Sequence, residues 1–193
     1  MLFLAVDGQG NPNEADGEYQ KAVEALYAIA FTIKMSKMGS GMPVGYFEYI
    51  MPPLEGLWWL SDDSDMDFYT YKERYQWTSL IRQPEFVTED VLRWAREEVH
   101  RKKPNVDTFR VRLLTFTEGL CVQALHIGPF DMEPETIHRI ETFIQSNGLL
   151  HDIGSLLPSG VPRRHHEIYM SDPRKTSSEK MKTVLRHPLK RTV

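Results

Sequence analysis

The sequence predicts an α+β fold built from two similar halves, each with a strand, a helix and further strands. Three short matches occur in the same order along the chain. They join residues 5–8 with 124–128 (one residue inserted), 46–53 with 165–173 (Glu48 aligned with Glu167), and 80–84 with 184–188. Internal repeats constrain a fold more strongly than single elements do. We therefore expect one domain over residues 1–193, with half-modules of about 1–87 and 88–193. An antiparallel sheet would carry helices on one side, with a groove between the modules.

Composition narrows the functional classes. The chain has 193 residues, enough for a sizeable core, and 23 basic against 27 acidic residues give it a net charge of −4. That balance lacks the basic footprint of a nucleic-acid-binding protein. The single cysteine, Cys121, excludes an internal disulfide and a multi-cysteine metal site.

The opening of the chain predicts a strand and not a targeting segment. Residues 1–6 are apolar but have no basic leader, and they run directly into a turn at 7–8. No apolar run approaches the roughly 20 residues that a membrane helix needs. We expect a cytoplasmic protein with no membrane contact.

The first half predicts a central strand, a long helix and a pair of strands. Residues 2–7 form a continuous apolar run, as in a buried strand. Apolar residues recur at helical spacing from about Asp16 until Gly39 and the residues after it end the pattern. Residues 44–50 and 55–60 then suggest two strands around a Pro-Pro pair.

The second half predicts five further elements. In chain order they are a helix from Thr88 to 102–104, a hairpin over 109–116 and 120–127 turning at 118–119, a helix framed by Pro134 and 147–148, a strand over 165–170 after a loop at 148–162, and a last strand at about 181–186. Thr88 suits a helix N-cap, because its hydroxyl can accept a hydrogen bond from the first turn. Proline near the start and Asn-Gly at the end are typical helix limits.

The predicted strand at 165–170 carries the strongest functional signal. Side chains alternate along a strand, so His165, Glu167 and Tyr169 share one face and the even-numbered residues share the other. Glutamate is depleted in strands, so this face is either solvated or functional. The adjacent histidines point to opposite faces and cannot ligate one ion together. No metal and no cofactor are predicted.

Aromatic residues cluster before the second helix. Tyr69, Tyr71, Tyr75 and Trp77 occupy odd positions, so an extended chain would place them on one face. Such a stripe forms either core or the wall of a ligand site. Their number, beside an acidic loop at 61–65, favours the wall.

Several motifs together resemble the GyrI-like family of small-molecule-binding domains, and most closely its stand-alone members. They lie at residues 6–12, 77–81, 83–88, 119–123, 126–131 and 165–173. The resemblance covers nearly the whole chain and implies two strand–helix–strand–strand modules. It also implies an aromatic-lined groove with a buried glutamate, which corresponds to Glu167.

The family resemblance implies three kinds of function. Relatives fused to DNA-binding modules sense effectors in multidrug-responsive regulators, others inhibit DNA gyrase, and some stand-alone members hydrolyse cyclopropane-bearing DNA-alkylating natural products. No helix-turn-helix is recognised here, because the fold takes up the whole chain, so we expect no direct DNA binding. The partner we expect is a planar aromatic or cationic small molecule.

The candidate roles follow from these alternatives. In a binding protein, Glu167 would balance a flat cation stacked on aromatic rings, where cation–π attraction contributes ~0.5–2 kcal/mol. In a hydrolase, Glu167 would be the general base, and Tyr71 or Tyr75 would stabilise the developing phenolate. The expected ligand-binding residues are Trp59, Tyr69, Trp77, Tyr169 and His165. A gyrase-inhibiting interaction would use residues 61–67.

Overall fold

The structure is a computed structural model that describes residues 1–39, 41–61 and 71–192. The chain divides into two compact units. Unit 1 comprises Met1–Pro53 and Leu60–Thr115, and unit 2 comprises Leu54–Trp59 and Phe116–Val193. Each unit combines antiparallel strands with α-helix, which confirms the predicted α+β class. Within the described ranges, no helix has the length and apolar character to cross a membrane.

Unit 1 contains a three-stranded ladder and two helices. Its elements are β1 (Leu2–Gln9), α1 (Glu18–Lys34), β3 (Tyr75–Gln83), α2 (Glu89–Lys102) and β4 (Arg112–Thr115). β1 lies between β3 and β4 and pairs antiparallel with both. Its central residues are fully buried, as its continuous apolar run predicts. Thr88 caps α2 by accepting a hydrogen bond from the Val91 N–H, as expected from the sequence.

Unit 2 contains the remaining strands and one helix. Its elements are β2 (Leu54–Leu60, whose last residue is assigned to unit 1), β5 (Cys121–Ile127), α3 (Glu133–Ser146), β6 (Leu149–His151), β7 (His165–Tyr169) and β8 (Lys182–Arg191). The strands follow the order β2-β7-β8-β5, all antiparallel, and β6 pairs with the end of β8. Ile140 and Ile144 of α3 pack on Leu185 and Leu189 of β8.

Two of the three sequence matches correspond to equivalent strand pairs. In unit 1, Ala5 of β1 faces Leu80 of β3. In unit 2, Leu125 of β5 faces Val184 of β8. Ala5 and Leu125 each lie three residues before the glycine that closes their motif, so the register is the same in both pairs once the inserted residue is allowed for. The duplicated strand pairs are therefore visible in the ladders.

The third match is wrong. Residues 46–50 form no strand, and Glu48 is an exposed partner of Lys37. The segment lies between prolines, and Gly45 has a φ of +80°. Its backbone is held by side chains, since Lys34 Nζ donates to the Tyr49 carbonyl. The strand predicted at 55–60 is confirmed as β2.

The predicted hairpin of residues 109–116 and 120–127 is also wrong. β4 pairs with β1 in unit 1, whereas β5 pairs with β8 in unit 2. The residues between β4 and β5 therefore do not form the tight turn of a hairpin. Gly119 has a φ of +79°, and the side chain of Glu118 is buried among polar groups of unit 2.

The contact between Gly8 and Trp77 provides a test of the packing in unit 1. Trp77 is completely buried, and its ring occupies the space where a side chain on Gly8 would lie. We expect Gly8→Ala to destabilise the fold by about 1–3 kcal/mol, the usual cost of overpacking a core. Gly39→Ala is the matched control, because its nearest neighbour is 4.0 Å away. Urea denaturation measures both, and equal stabilities of the two variants would contradict this packing.

Candidate functional site

β7 buries polar side chains on both of its faces. His165, His166 and Glu167 are only 8%, 1% and 7% exposed. β7 lies between β2 and β8, so no side chain at its centre reaches a sheet edge. A polar group buried in this way is costly unless it is hydrogen-bonded. Each face therefore depends on partners supplied by neighbouring elements.

The even face holds a compensated ionic network. His166 Nδ1 lies 2.9 Å from Glu118 Oε1, and His166 Nε2 lies 2.9 Å from Glu55 Oε2. Arg186 Nη1 donates to the other oxygen of Glu118 at 2.7 Å. Two carboxylates thus face one imidazolium and one guanidinium. The network joins β2, β7, β8 and the segment before β5.

The network sets the protonation of its members. Burial alone would lower the pKa of His166, but hydrogen bonds to Glu118 and Glu55 outweigh it, and the pKa is raised. Burial would raise the pKa of Glu118, but His166 and Arg186 outweigh it, and that pKa is lowered. Both shifts favour the charged forms. This face is a structural ion cluster whose polar groups are all paired.

The odd face carries a chain of hydrogen bonds that ends at Glu167. His165 Nε2 lies 3.1 Å from Glu167 Oε1, and His165 Nδ1 lies 2.8 Å from His187 Nε2. His187 belongs to β8, and its ring contacts that of His151 on β6 at a centroid distance of 5.4 Å. Burial is the main reason that the pKa of His187 is lowered to about 3, and electrostatic interaction with the imidazoles of His165 and His151 contributes. His187 is therefore neutral.

A second carboxyl group approaches this chain from α3. Glu133 is the first residue of that helix and only 3% exposed. Burial, then the charges of Glu167 and Asp131, raise its pKa to about 9. Its Oε1 atom has no hydrogen-bond partner within the described ranges. Glu133 therefore holds a proton at neutral pH beside Glu167.

Three groups of this site lie close to one another. One ligand atom each of Glu133, His165 and Glu167 lies within 4.8 Å of the other two. This spacing would suit a divalent ion, and it also brings the two carboxyl groups near enough for the charge of Glu167 to oppose ionisation of Glu133. His126 is not part of this group, because its ring nitrogens contact Thr136 and the Pro129 carbonyl.

Aromatic side chains continue the odd face of β7. The Trp58 indole N–H donates to the hydroxyl of Tyr169 at 2.9 Å. Phe130 meets the Tyr169 ring edge to face, with ring centroids 6.0 Å apart. Gly56 lies opposite Glu167 in the ladder, and a side chain there would overlap the Trp58 indole. Glycine at this position lets the indole lie close to the strand.

The structure brings some of the expected site residues together. Glu167, His165 and Tyr169 lie on one face of β7, as the alternation predicts. Trp59 also lies in unit 2, where the Arg164 guanidinium stacks over its ring at 4.7 Å.

Tyr71, Tyr75 and Trp77 lie in unit 1. Tyr71 is exposed and Tyr75 is buried. Trp77 packs at a centroid distance of 5.1 Å from Tyr19. Their roles stay predictions. Tyr69 and most of the loop at 61–67 lie outside the described residues.

Sequence reasoning missed four residues of these clusters. They are Glu55, Glu118, Glu133 and His187. One signal was available for Glu133, because an acidic residue directly before a helix-starting proline lies where α3 begins. The other three are distant from β7 along the chain, and only strand pairing brings them to it.

The ion cluster of the even face predicts a pH dependence of stability. The folded-state pKa of His166 is raised, so its contribution is fully present below the unfolded value of about 6.5 and is lost as the pH rises through the folded value. We expect His166→Gln to cost about 3–5 kcal/mol at about pH 6, and less at about pH 9. Denaturation at several pH values measures this. His138→Gln on the exposed side of α3 is the control, and a pH-independent difference would contradict the charged network.

Solved structures resemble this chain over its whole length. A hydrolase from Listeria innocua is 50% identical, with a TM-score of 0.85, over 98% of this chain and 87% of that one. An uncharacterized conserved protein from Listeria innocua is also 50% identical, with a TM-score of 0.88, over 98% and 88%. The EcmrR C-terminal domain is 10% identical, with a TM-score of 0.51 over 99% and 92%, and shows the fold alone.

A search of curated proteins finds no significant match. The family model described as the GyrI-like small molecule binding domain matches residues 1–190. This match covers both units and confirms the family predicted from the motifs. The chain belongs to the GyrI-like family.

Proposed function

We propose that this protein is a hydrolase that adds water to a strained, electrophilic ring in a flat aromatic substrate. The observation that carries this proposal is the buried pair of Glu133 and Glu167, in which one carboxyl group keeps its proton. Pairs of carboxyl groups held in different protonation states are a common arrangement for acid–base catalysis. The hydrolase from Listeria innocua, 50% identical to this chain, supports the same reaction class.

Glu167 is the proposed general base. Its Oε1 atom is held by His165, and the side chain keeps about 10% of its surface accessible. A base of this kind removes a proton from water as the oxygen attacks the ring carbon. In a cyclopropane conjugated to a dienone, the new C–O bond forms while one C–C bond of the ring breaks. The electron pair of that bond moves to the dienone oxygen, and relief of ring strain favours the step.

Glu133 is the proposed general acid. Because its carboxyl group is protonated at neutral pH, it can deliver a proton to the developing phenolate oxygen. One proton enters Glu167 from water and one leaves Glu133 in each turnover. Transfer of the proton from Glu167 back to Glu133 restores the starting state. The reaction thus consumes one water molecule and requires no oxidant or reductant.

The aromatic residues of unit 2 suit a planar substrate. Tyr169 follows Glu167 on the same face of β7, and its ring is fixed by Trp58 and Phe130. A substrate held against such rings would present one edge to the carboxyl pair. Holding reactants in one geometry supplies a large part of the rate enhancement of many enzymes. The roles predicted for Tyr71 and Tyr75 in stabilising the phenolate stay predictions from the sequence.

A binding-only function is the second candidate. The Tyr169–Trp58–Phe130 cluster beside Glu167 would also hold a flat cation, with the carboxylate as counter-charge. In that case the parent protein would bind planar cations and leave a strained ring intact. The two functions therefore share Glu167 and this aromatic cluster, and they differ in turnover.

The role of Glu167 is tested by Glu167→Gln. The amide keeps the shape of the side chain but removes the basic oxygen, so we expect turnover to fall by ~10²–10⁴-fold with KM nearly unchanged. Single-turnover assays with a spirocyclopropyl dienone measure the loss, with mass spectrometry to identify the ring-opened hydrate.

The control is Glu135→Gln, an exposed acid of the first turn of α3. It should leave turnover unchanged. A parent protein that binds the dienone without opening it would refute the hydrolase proposal and leave the binding function. A fully active Glu167→Gln variant would remove Glu167 as base.

The role of Glu133 predicts a limit on activity at high pH. The proton that it donates is lost as the pH rises through its pKa of about 9, so turnover should fall above that value. Initial rates measured from about pH 6 to about pH 10 give the profile, after correction for spontaneous ring opening. Glu133→Gln should have low turnover and should lack this limb. A parent profile that stays level past about pH 10 would exclude Glu133 as the acid.

A further inference from the structure

We infer that His187 and His165 are positioning residues, which hold Glu167 through hydrogen bonds that all run in one direction. His187 Nε2–H donates to His165 Nδ1, and His165 Nε2–H donates to Glu167 Oε1. Neither histidine transfers a proton to the substrate. The inference rests on the proposed function where it concerns turnover. The direction of the hydrogen bonds is a property of the folded protein and does not depend on that function.

The direction of these hydrogen bonds follows from the groups at the two ends of the series, His187 and Glu167. At one end, the Nδ1 atom of His187 is buried and has no hydrogen-bond partner in the part of the chain that the structure describes. A buried N–H without a partner is rarer than a buried acceptor without one. The proton of the neutral imidazole is therefore on Nε2, which makes His187 the donor to His165.

The Glu167 end of the series indicates the same direction. If its Nδ1 atom accepts from His187, His165 carries a proton on Nε2, where it faces Glu167. An ionised carboxylate only accepts hydrogen bonds, so it matches this N–H. The opposite direction would place a bare imidazole nitrogen against Glu167. It would then need a second protonated carboxyl group beside Glu133.

The surroundings keep His187 neutral and in place. Burial lowers the pKa of His187 to about 3, and the nearby imidazoles of His165 on β7 and His151 on β6 add to this effect. β5 presents Val122 opposite His187, an apolar neighbour. On the other side of His165 lie Glu167 and, from α3, Glu133. His187 thus acts as a fixed donor and does not carry charge.

The hydrogen bonds from His187 through His165 select which oxygen of Glu167 reacts. Oε1 accepts the hydrogen bond from His165, so Oε2 is left to take the proton from water. Holding one oxygen fixes the carboxylate plane, and an error of about 1 Å in such a group can cost ~10²-fold in rate. His187 therefore contributes to turnover without touching the substrate.

The direction is tested by spectroscopy on the parent protein. Long-range ¹H–¹⁵N correlation spectra of the full chain distinguish protonated from bare imidazole nitrogens. The 7 histidines are assigned with single His→Gln variants. We expect neutral His165 protonated at Nε2 and bare at Nδ1, and His187 in the same tautomer. A proton on His165 Nδ1 with a bare Nε2 would overturn the inference whatever the activity of the protein.

The positioning role is tested by a pair of substitutions at His187. His187→Leu removes the donor, and His187→Gln keeps an N–H near the place of Nε2. With the spirocyclopropyl dienone as substrate, we expect the leucine variant to lose about 10- to 100-fold in kcat with KM within about twofold. The glutamine variant should recover most of that loss. His165 in the leucine variant should show a mixture of tautomers.

The outcomes separate this inference from the proposed function. Inactive parent protein with the expected tautomers would refute hydrolysis and retain the directed chain. Active parent protein with a folded His187→Leu variant of unchanged kcat would refute the positioning role and retain Glu167 as base. Equal losses of kcat in the leucine and glutamine variants would also refute the positioning role, because they would show that packing and not the hydrogen bond matters.

Discussion

The burial of three consecutive polar side chains on β7 is the constraint on which the rest of unit 2 depends. Each of them loses its contact with water when the strand is enclosed between β2 and β8. Because alternate residues point to opposite faces, no single partner can serve all three. The sheet must therefore supply polar groups on both faces. Glu55, Glu118 and Arg186 do so on one side of the strand, and His187 does so on the other.

The two faces of β7 meet this constraint differently: one balances its charges, and the other holds a protonated carboxyl group. Around His166, acidic and basic groups balance, and the pKa shifts favour the charged forms. Around Glu167, burial and the neighbouring carboxyl groups raise the pKa of Glu133 to about 9, so that ionising it costs on the order of 6 kcal/mol more than in water. A cost of this size is typical of sites where a perturbed protonation state is used. We therefore place the proposed function on the face that carries Glu167.

The sequence predicted what depends on local pattern and failed where distant residues meet. The alternation that places His165, Glu167 and Tyr169 together is a property of any strand, and the Thr88 cap is a property of one helix turn. Glu133 escaped notice because its importance arises from the position of α3 against β7, which periodicity does not encode. The strand predicted around Glu48 failed because the alignment rested on similar residue types. The prolines and Gly45 prevent a ladder there.

The two duplicated strand pairs differ at one aligned position. The match of residues 80–84 with 184–188 aligns Gln83 with His187, and both side chains are buried. In unit 1 the Gln83 side-chain NH₂ group donates to the carbonyls of Ile81 and Arg82 in its own strand, and its Oε1 atom has no partner among the described residues. In unit 2 the imidazole instead reaches across to β7 and meets His165. The side chain at this position therefore bonds within its own strand in unit 1. In unit 2 it instead connects β8 to β7, the strand that carries Glu167.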